Sequence, residues 1–350
     1  MAYSTISKPS DYFNTKLYTG NSTDNHAITG VNFQPDLVWI KRRNQAANHN
    51  LFDAVRGATK TIKSNLTNAE ATVADTLKSF DSDGFTLGDD ATVGEVNPNT
   101  YTMASWNWLG ANGTASNTDG SITSTVSANT TSGFSIVKYT GTGADMTVGH
   151  GLNAVPKMII VKALDTGTDP WWVYHASLGN SAKLRFNETN ASSTTADYIW
   201  NQTTPTSSVF SLDGANNGSN ANGNNFIAYC FADVKGFSKF GSYTGNGNAD
   251  GTFCYTGFKP AFVIMKRTDT SASWFMKDNK RDPFNPAEQT LAPDSASSEA
   301  GWGTGDDIDL LSNGFKMKDN STYINASGGS YIYMAFAEEP LVGDNPATAR

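Results

Sequence analysis

Four histidines, two cysteines, a recurring aspartate–arginine pair and eight tryptophans are the residues of this chain best equipped for chemistry. A histidine acting as base or metal ligand needs a partner at a set spacing. His26, His49, His150 and His175 show no H-x-x-x-H, and no G-x-S-x-G or G-x-x-x-x-G-K-[ST] occurs. His175, close to Trp171 and Trp172, is the most suggestive, and a place on a loop or strand face is the expectation for it. Cys230 and Cys254 belong to no C-x-x-C pair and read as buried thiols. Asp81-Ser82-Asp83-Gly84 opens like a calcium loop, but Thr92 stands where that loop needs glutamate. Asp306, Asp307 and Asp309 form a second acidic cluster, readable as oxygen ligands or as a solvated turn.

Asp53 and Arg56 return as Asp278 and Arg281, displaced by 225 residues, the same step that separates Tyr18 from Tyr243. The pair reads as an ion pair holding the loop after an apolar strand. Between the two copies, Tyr174 and Ser177 occupy the equivalent places, which argues against an active site shared by the copies. Among the tryptophans, Trp39 and Trp106 align with apolar residues and read as core, as does Trp172, aligned with Leu51 and Phe275. Trp171 and Trp274 align with each other and with Asn50, on the opposite strand face. Trp200 and Trp302 fall in variable connections, and Trp108 aligns with Asp233 and Glu338. Aromatics flanked by Asn, Asp and Thr suit a sugar platform or a protein partner, so Trp171, Trp274, Trp302, Trp200 and Trp108 are the candidate binding residues.

These residues sit on a threefold repeat. Tyr18-Thr19-Gly20 recurs as Tyr139-Thr140-Gly141 and Tyr243-Thr244-Gly245, displaced by 121 and then 104 residues. Pro35, Pro156 and Pro260 keep the step, as do Lys41, Lys162 and Lys266, each closing a four-residue apolar run. A second block is displaced by 125 and then 105: Phe85, Phe210 and Phe315, then Trp106, Phe231 and Phe336. The short, continuously apolar runs suit strands buried on both faces, and the aromatic-rich closing segments also read as strand. Residues 51–63 and 68–78 are the places where a short helix could fit.

A unit of about 100 residues predicts an all-β chain of three tandem antiparallel β-sandwich, jelly-roll-like repeats. The expected boundaries are an N-terminal anchor at 1–16, repeats at 17–110, 134–236 and 237–342, a polar linker at 111–133 and a tail at 343–350. Residues 121–127 of the linker alternate and also fit an edge strand. The chain carries 25 Lys and Arg against 33 Asp and Glu, a net charge of −8. That balance argues against a nucleic-acid partner, which requires a basic surface. No 18-residue apolar run predicts membrane insertion, and the first residues lack a signal-peptide pattern, so release into the cytoplasm is expected. Asn-x-Ser/Thr triplets at Asn21, Asn65 and Asn187 are read as chance products of composition.

Three stretches, Ser7 to Gly20, Gly30 to Lys41 and Ser330 to Glu338, resemble a family of repeat-containing virion proteins of marine tailed phages, notably cyanophages and pelagiphages. The resemblance implies a non-enzymatic component on the particle exterior: a head appendage, a decoration protein or a tail fibre. Its partners would be other capsid or tail proteins and further copies of itself, with host surface glycan as the ligand in the lectin-like alternative. It implies no cofactor and brings no catalytic residues.

Overall fold

The computed structural model describes residues 4–194, 198–214, 217–302, 305–342 and 346–348. It is nearly all β, with antiparallel sheets throughout. The described helical turns are Pro9–Asp11, Asn217–Asn220 and Glu299–Trp302. The helix expected within 51–63 or 68–78 does not form. Asn50–Asp53 is a strand, the chain turns at once with Gly57 at φ 99°, and Lys60–Thr61 pairs with Ala71–Thr72. A helix cannot run through a glycine held in the left-handed region.

Each sequence unit contributes an inner sheet with the same strand order. In the first, Phe13–Thr19 pairs with Thr102–Trp108, which pairs with Leu37–Arg42, which pairs with Asn50–Asp53. The second runs Phe134–Thr140, Asn225–Phe231, Met158–Ala163 and Trp172–His175, and the third Ser238–Thr244, Ser330–Pro340, Phe258–Arg267 and Trp274–Asp278. One face of each inner sheet packs on a smaller outer sheet of its own unit. These are His26–Thr29 with Gly84–Leu87 and Leu77–Asp81, then Met146–Gly149 with Val209–Leu212, then Phe253–Tyr255 with Gly314–Met317 and Ile308–Leu311. Three apolar clusters, each confined to one unit, lie on that side.

The other faces meet in a single cluster that draws Phe13, Trp39 and Trp108 from the first unit. The second supplies Phe134, Trp171 and Phe231, and the third Phe262, Trp274 and Phe336. This is why the central runs are apolar without alternation: Leu37–Arg42 and Met158–Ala163 are buried at every position, since both faces of the strand are covered. Register corrects the alignment in two strands: Trp171 and Trp274 are equivalent to His49 rather than Asn50, and the closing strand shifts by two residues. Leu37, Met158 and Phe262 stand opposite Trp108, Phe231 and Phe336, and Phe13, Phe134 and Ser238 stand opposite the same three. Trp108, not Trp106, is therefore the equivalent of Phe231 and Phe336, and Trp106 corresponds to Tyr229 and Met334. The three equivalent rings meet, with centroids 5.8 Å apart for Trp108 and Phe336, 6.0 Å for Phe231 and Phe336, and 6.5 Å for Trp108 and Phe231.

The segments expected as anchor and linker are parts of this body. Ile6 is buried in the shared cluster, and Tyr12 meets Phe237 edge-on at 6.0 Å. Residues 1–3 of the expected anchor lie outside the described residues, as do 343–345 and 349–350 of the expected tail. Within 111–133, Ala115–Asn117 and Ser124–Asn129 extend the second inner sheet. Ser127 pins that edge to the first unit by donating to Asp36 Oδ1 at 3.2 Å.

Candidate functional site

The polar side chains that chemistry would need converge on the seams between units, and the seams follow one another cyclically. Asp53, His175 and Asp278 stand opposite Leu37, Met158 and Phe262 and are thus equivalent. The sequence alignment had placed Tyr174 there, one residue short, because a single insertion precedes that strand. Tyr229 of the second unit donates its hydroxyl to Asp53 Oδ2 at 2.8 Å. Trp106 of the first unit donates its indole N–H to Asp278 Oδ2 at 3.1 Å. His175 of the second unit meets the Tyr333 carbonyl of the third at 3.2 Å. First to second, second to third and third to first are all closed.

Both ion pairs expected from the sequence are present and fully buried. Arg56 bonds Asp53 through Nε and through its backbone N–H at 2.9 Å, and donates to the Leu51 carbonyl at 2.9 Å. Arg281 repeats each contact on Asp278 and Met276. Glu70 and Glu299 complete the two guanidinium shells, each at 3.2 Å. The net effect of Asp53, Tyr229 and Glu70 is to hold the Arg56 guanidinium above its usual range against its burial. The seam between the second and third units lacks the whole set together: Leu178 stands where Arg56 and Arg281 stand, His175 replaces the aspartate, and Met334 of the third unit replaces the Trp106 or Tyr229 donor. Losing cation, anion and donor jointly leaves no uncompensated buried charge, which would be costly.

A second cyclic set clasps the same seams from outside. The backbone N–H of Glu70 donates to Leu164 O at 2.8 Å, that of Ser192 to Thr268 O at 2.9 Å and that of Glu299 to Arg43 O at 2.9 Å. Each acceptor lies two residues beyond a buried lysine, and each lysine reaches back into the same strap. Lys162 Nζ donates to Thr67 O at 2.9 Å, Lys266 to Thr189 O at 3.0 Å and Lys41 to Ala296 O at 3.3 Å. Burial lowers these ammonium groups, Lys41 to about 7 and Lys162 and Lys266 to about 8. Such values would suit a base, yet each Nζ is held among backbone carbonyls with no reacting partner beside it. Proline, lysine and tyrosine spacing signalled the units; each strap also carries an Asn or Asp, namely Asn65, Asn187 or Asp294, that accepts the N–H of His49, Trp171 or Trp274, and the variable loop lengths around the straps hide that recurrence in the sequence.

The candidate binding tryptophans are mostly interior. Trp171, Trp274, Trp200 and Trp108 are 1–2% exposed. Trp171 Nε1 donates across a seam to Lys63 O at 3.0 Å and Leu66 O at 3.1 Å, and Trp274 Nε1 to Arg185 O at 3.0 Å. Trp200 meets Tyr174 edge-on at 5.6 Å, and Trp108 sits 4.9 Å from Phe13. Only Trp302 is partly open, packed edge-on against Phe275 at 5.5 Å. Trp171, Trp274 and Trp108 lie in the core shared by all three units, which covers the face opposite each unit's own core, and Trp200 lies in the second unit's own core.

The remaining titratable groups are similarly engaged. His175 accepts the Ser177 N–H on Nδ1, so Nε2 carries the proton given to Tyr333 O, and burial lowers its pKa to about 4. His49 accepts from Trp39 Nε1 at 2.9 Å and is held neutral by burial and by Lys41. His26 contacts Asn97 Oδ1 at 2.8 Å, and His150 faces Thr206 O at 3.2 Å. Burial raises both thiols, which disfavours the reactive thiolate. Asp83 accepts the Gly30 and Asn32 N–H groups, and Asp81 the Ser79 and Thr86 hydroxyls, so both close a turn. Asp306 accepts from Ser321, and Asp309 pairs with Lys318 at 3.4 Å. A polar cleft of about 480 Å³ opens where the third unit meets the first, lined by Arg43, Asn44, Glu288, Gln289, Glu299 and Asp307. Arg43 and Glu299 close on each other there at 2.8 Å.

The chain matches the model of a domain of unknown function, DUF7483, over residues 8–340, and it belongs to that family. No curated protein and no solved structure matches it.

Proposed function

We propose that this DUF7483 chain is a non-enzymatic structural protein on the exterior of a tailed-phage particle, as a head appendage, decoration protein or fibre. In this reading, three tandem antiparallel β-sandwich, jelly-roll-like repeats are fused into one ring-closed body. The observation that carries it is the cyclic seam set. The buried carboxylates Asp53 and Asp278 and the lysines Lys41, Lys162 and Lys266 are bonded to a neighbouring unit, and the guanidinium groups of Arg56 and Arg281 are locked onto those carboxylates, so their chemistry is architectural. A body closed in this way resists local opening and proteolysis, as a particle surface requires. The resemblance of Ser7 to Gly20, Gly30 to Lys41 and Ser330 to Glu338 to marine phage virion proteins supplies the setting. Its partners would be neighbouring capsid or tail proteins and further copies of itself.

Particle reconstruction tests this reading. Density for the three-unit body on the outside of purified virions is the expected result, and absence of the protein from purified particles contradicts it. A second reading, recognition of host-surface polysaccharide, is favoured by one observation: Phe253 and Tyr255 are 43% and 56% exposed on the outer sheet of the third unit.

A further inference from the structure

We propose that Phe253 and Tyr255 form a platform for a neutral hexose oligosaccharide on the outer sheet of the third unit. This deepens the polysaccharide reading and rests on it. The threefold repeat supplies the internal comparison. Ile28, Val148 and Cys254 are equivalent inward positions, each opposite a core phenylalanine of its outer sheet, Phe85, Phe210 or Phe315. The outward positions on either side are Ala27 and Thr29 in the first unit, Thr147 and Gly149 in the second, and Phe253 and Tyr255 in the third. Two copies of the fold form this strand with small residues, so folding does not require the rings. Large apolar side chains left in water where small ones suffice mark an interaction site.

The local geometry suits a sugar. Two same-face positions on one strand lie roughly 7 Å apart. A Cβ added at Gly314 would meet Phe253 Cε2 at 3.0 Å, so the Phe253 ring lies beside that neighbouring strand while the residue stays 43% exposed. Gly314 stands opposite Tyr255, and a Cβ there would collide with the Cys254 carbonyl, so close approach of the two strands keeps this position free of a side chain. Lys316, opposite Phe253, is paired with Asp250, and Asp309, opposite Lys316, with Lys318. An apolar ring face beside balanced donors and acceptors matches a hexose, which has one C–H face and a rim of hydroxyls. Two rings cover far less than the roughly 800 Å² per partner of a stable protein interface, which disfavours a second copy or a protein partner.

The test uses the full chain and a F253A/Y255T variant that installs the first unit's pair. Both are applied to an array of immobilised neutral glucan, mannan and galactan oligosaccharides, and hits are quantified by calorimetric titration. The expected result is binding by the parent chain, at least tenfold weaker in the variant, with unchanged thermal melting. Binding that survives the double substitution overturns the site while leaving the polysaccharide reading in place. No binding by the parent chain overturns both. Concentration-dependent dimerisation lost in the variant makes the patch a self-contact and overturns the proposal.

Discussion

Tyr229 gives its phenolic hydroxyl to Asp53 across 176 residues of sequence, at 2.8 Å and wholly out of water. Trp106 does the same for Asp278, and the two donors occupy equivalent places on equivalent strands. The relationship ties the end of one unit to the heart of another, and it predicts what substitution there will do.

Tyr229→Phe removes one donor to a buried carboxylate and should cost about 1.5–3 kcal/mol. Arg56→Ala leaves Asp53 buried without its cation and should cost about 3–5 kcal/mol. Both are read from urea unfolding, where the midpoint should fall in that order. An unchanged midpoint for Arg56→Ala would remove the seam from the stability account.

The seam between the second and third units shows how the set is replaced as a whole, and this can be transplanted. Asp53→His alone leaves the Arg56 guanidinium buried without its carboxylate. Asp53→His with Arg56→Leu and Tyr229→Met reproduces the chemistry of His175, Leu178 and Met334. The triple variant should recover at least half of the stability lost by the single one, because contacting residues are not additive. Losses that simply add would contradict the grouping.

His175 makes stability depend on pH. Its imidazole is held to about 4 in the folded chain by burial, against 6.5 for an exposed histidine. The unfolded chain therefore binds more protons between these values. The contribution is complete above pH 6.5 and is lost as pH falls towards 4, on the order of 2 kcal/mol by pH 5. His175→Gln can still donate to Tyr333 O but does not titrate. Melting temperatures at pH 7.5 and pH 5 should differ less for this variant than for the parent, and an equal difference would contradict the assignment.

Trp171→Ala should act on folding. A buried indole bonded across a seam is worth about 3–5 kcal/mol on truncation. Carbohydrate binding by whatever folded fraction remains should match the parent, which the same array reads out.

Much of this was legible in the sequence. The steps of 121 and 104 residues located the opening strands, and the return of Asp53 and Arg56 as Asp278 and Arg281 marked the two ion pairs, although not that each lies at a seam between units. The unbroken apolar runs before Lys41, Lys162 and Lys266 already implied cover on both faces. What could not be read was the source of the second cover. Period-two alternation shows that Trp171 faces away from its own unit's core, and only the assembled sheets show that two other units lie there. The closing strand was misaligned by two residues because Trp106 and Trp108 both fit an aromatic column, and register alone separates them. Phe253 and Tyr255 carry no sequence signal of exposure, since aromatic residues in a strand normally announce a core.

The central claim is that three units form one cooperative body, and equilibrium unfolding tests it most directly. Far-ultraviolet circular dichroism, tryptophan fluorescence and hydrogen exchange at the outer sheets of all three units should be followed through one urea titration of the full chain. A single coincident transition is predicted, because the shared core and cyclic seams tie the inner sheet of every unit to the other two. Separate transitions, with one unit losing its protection while the others keep theirs, would contradict it.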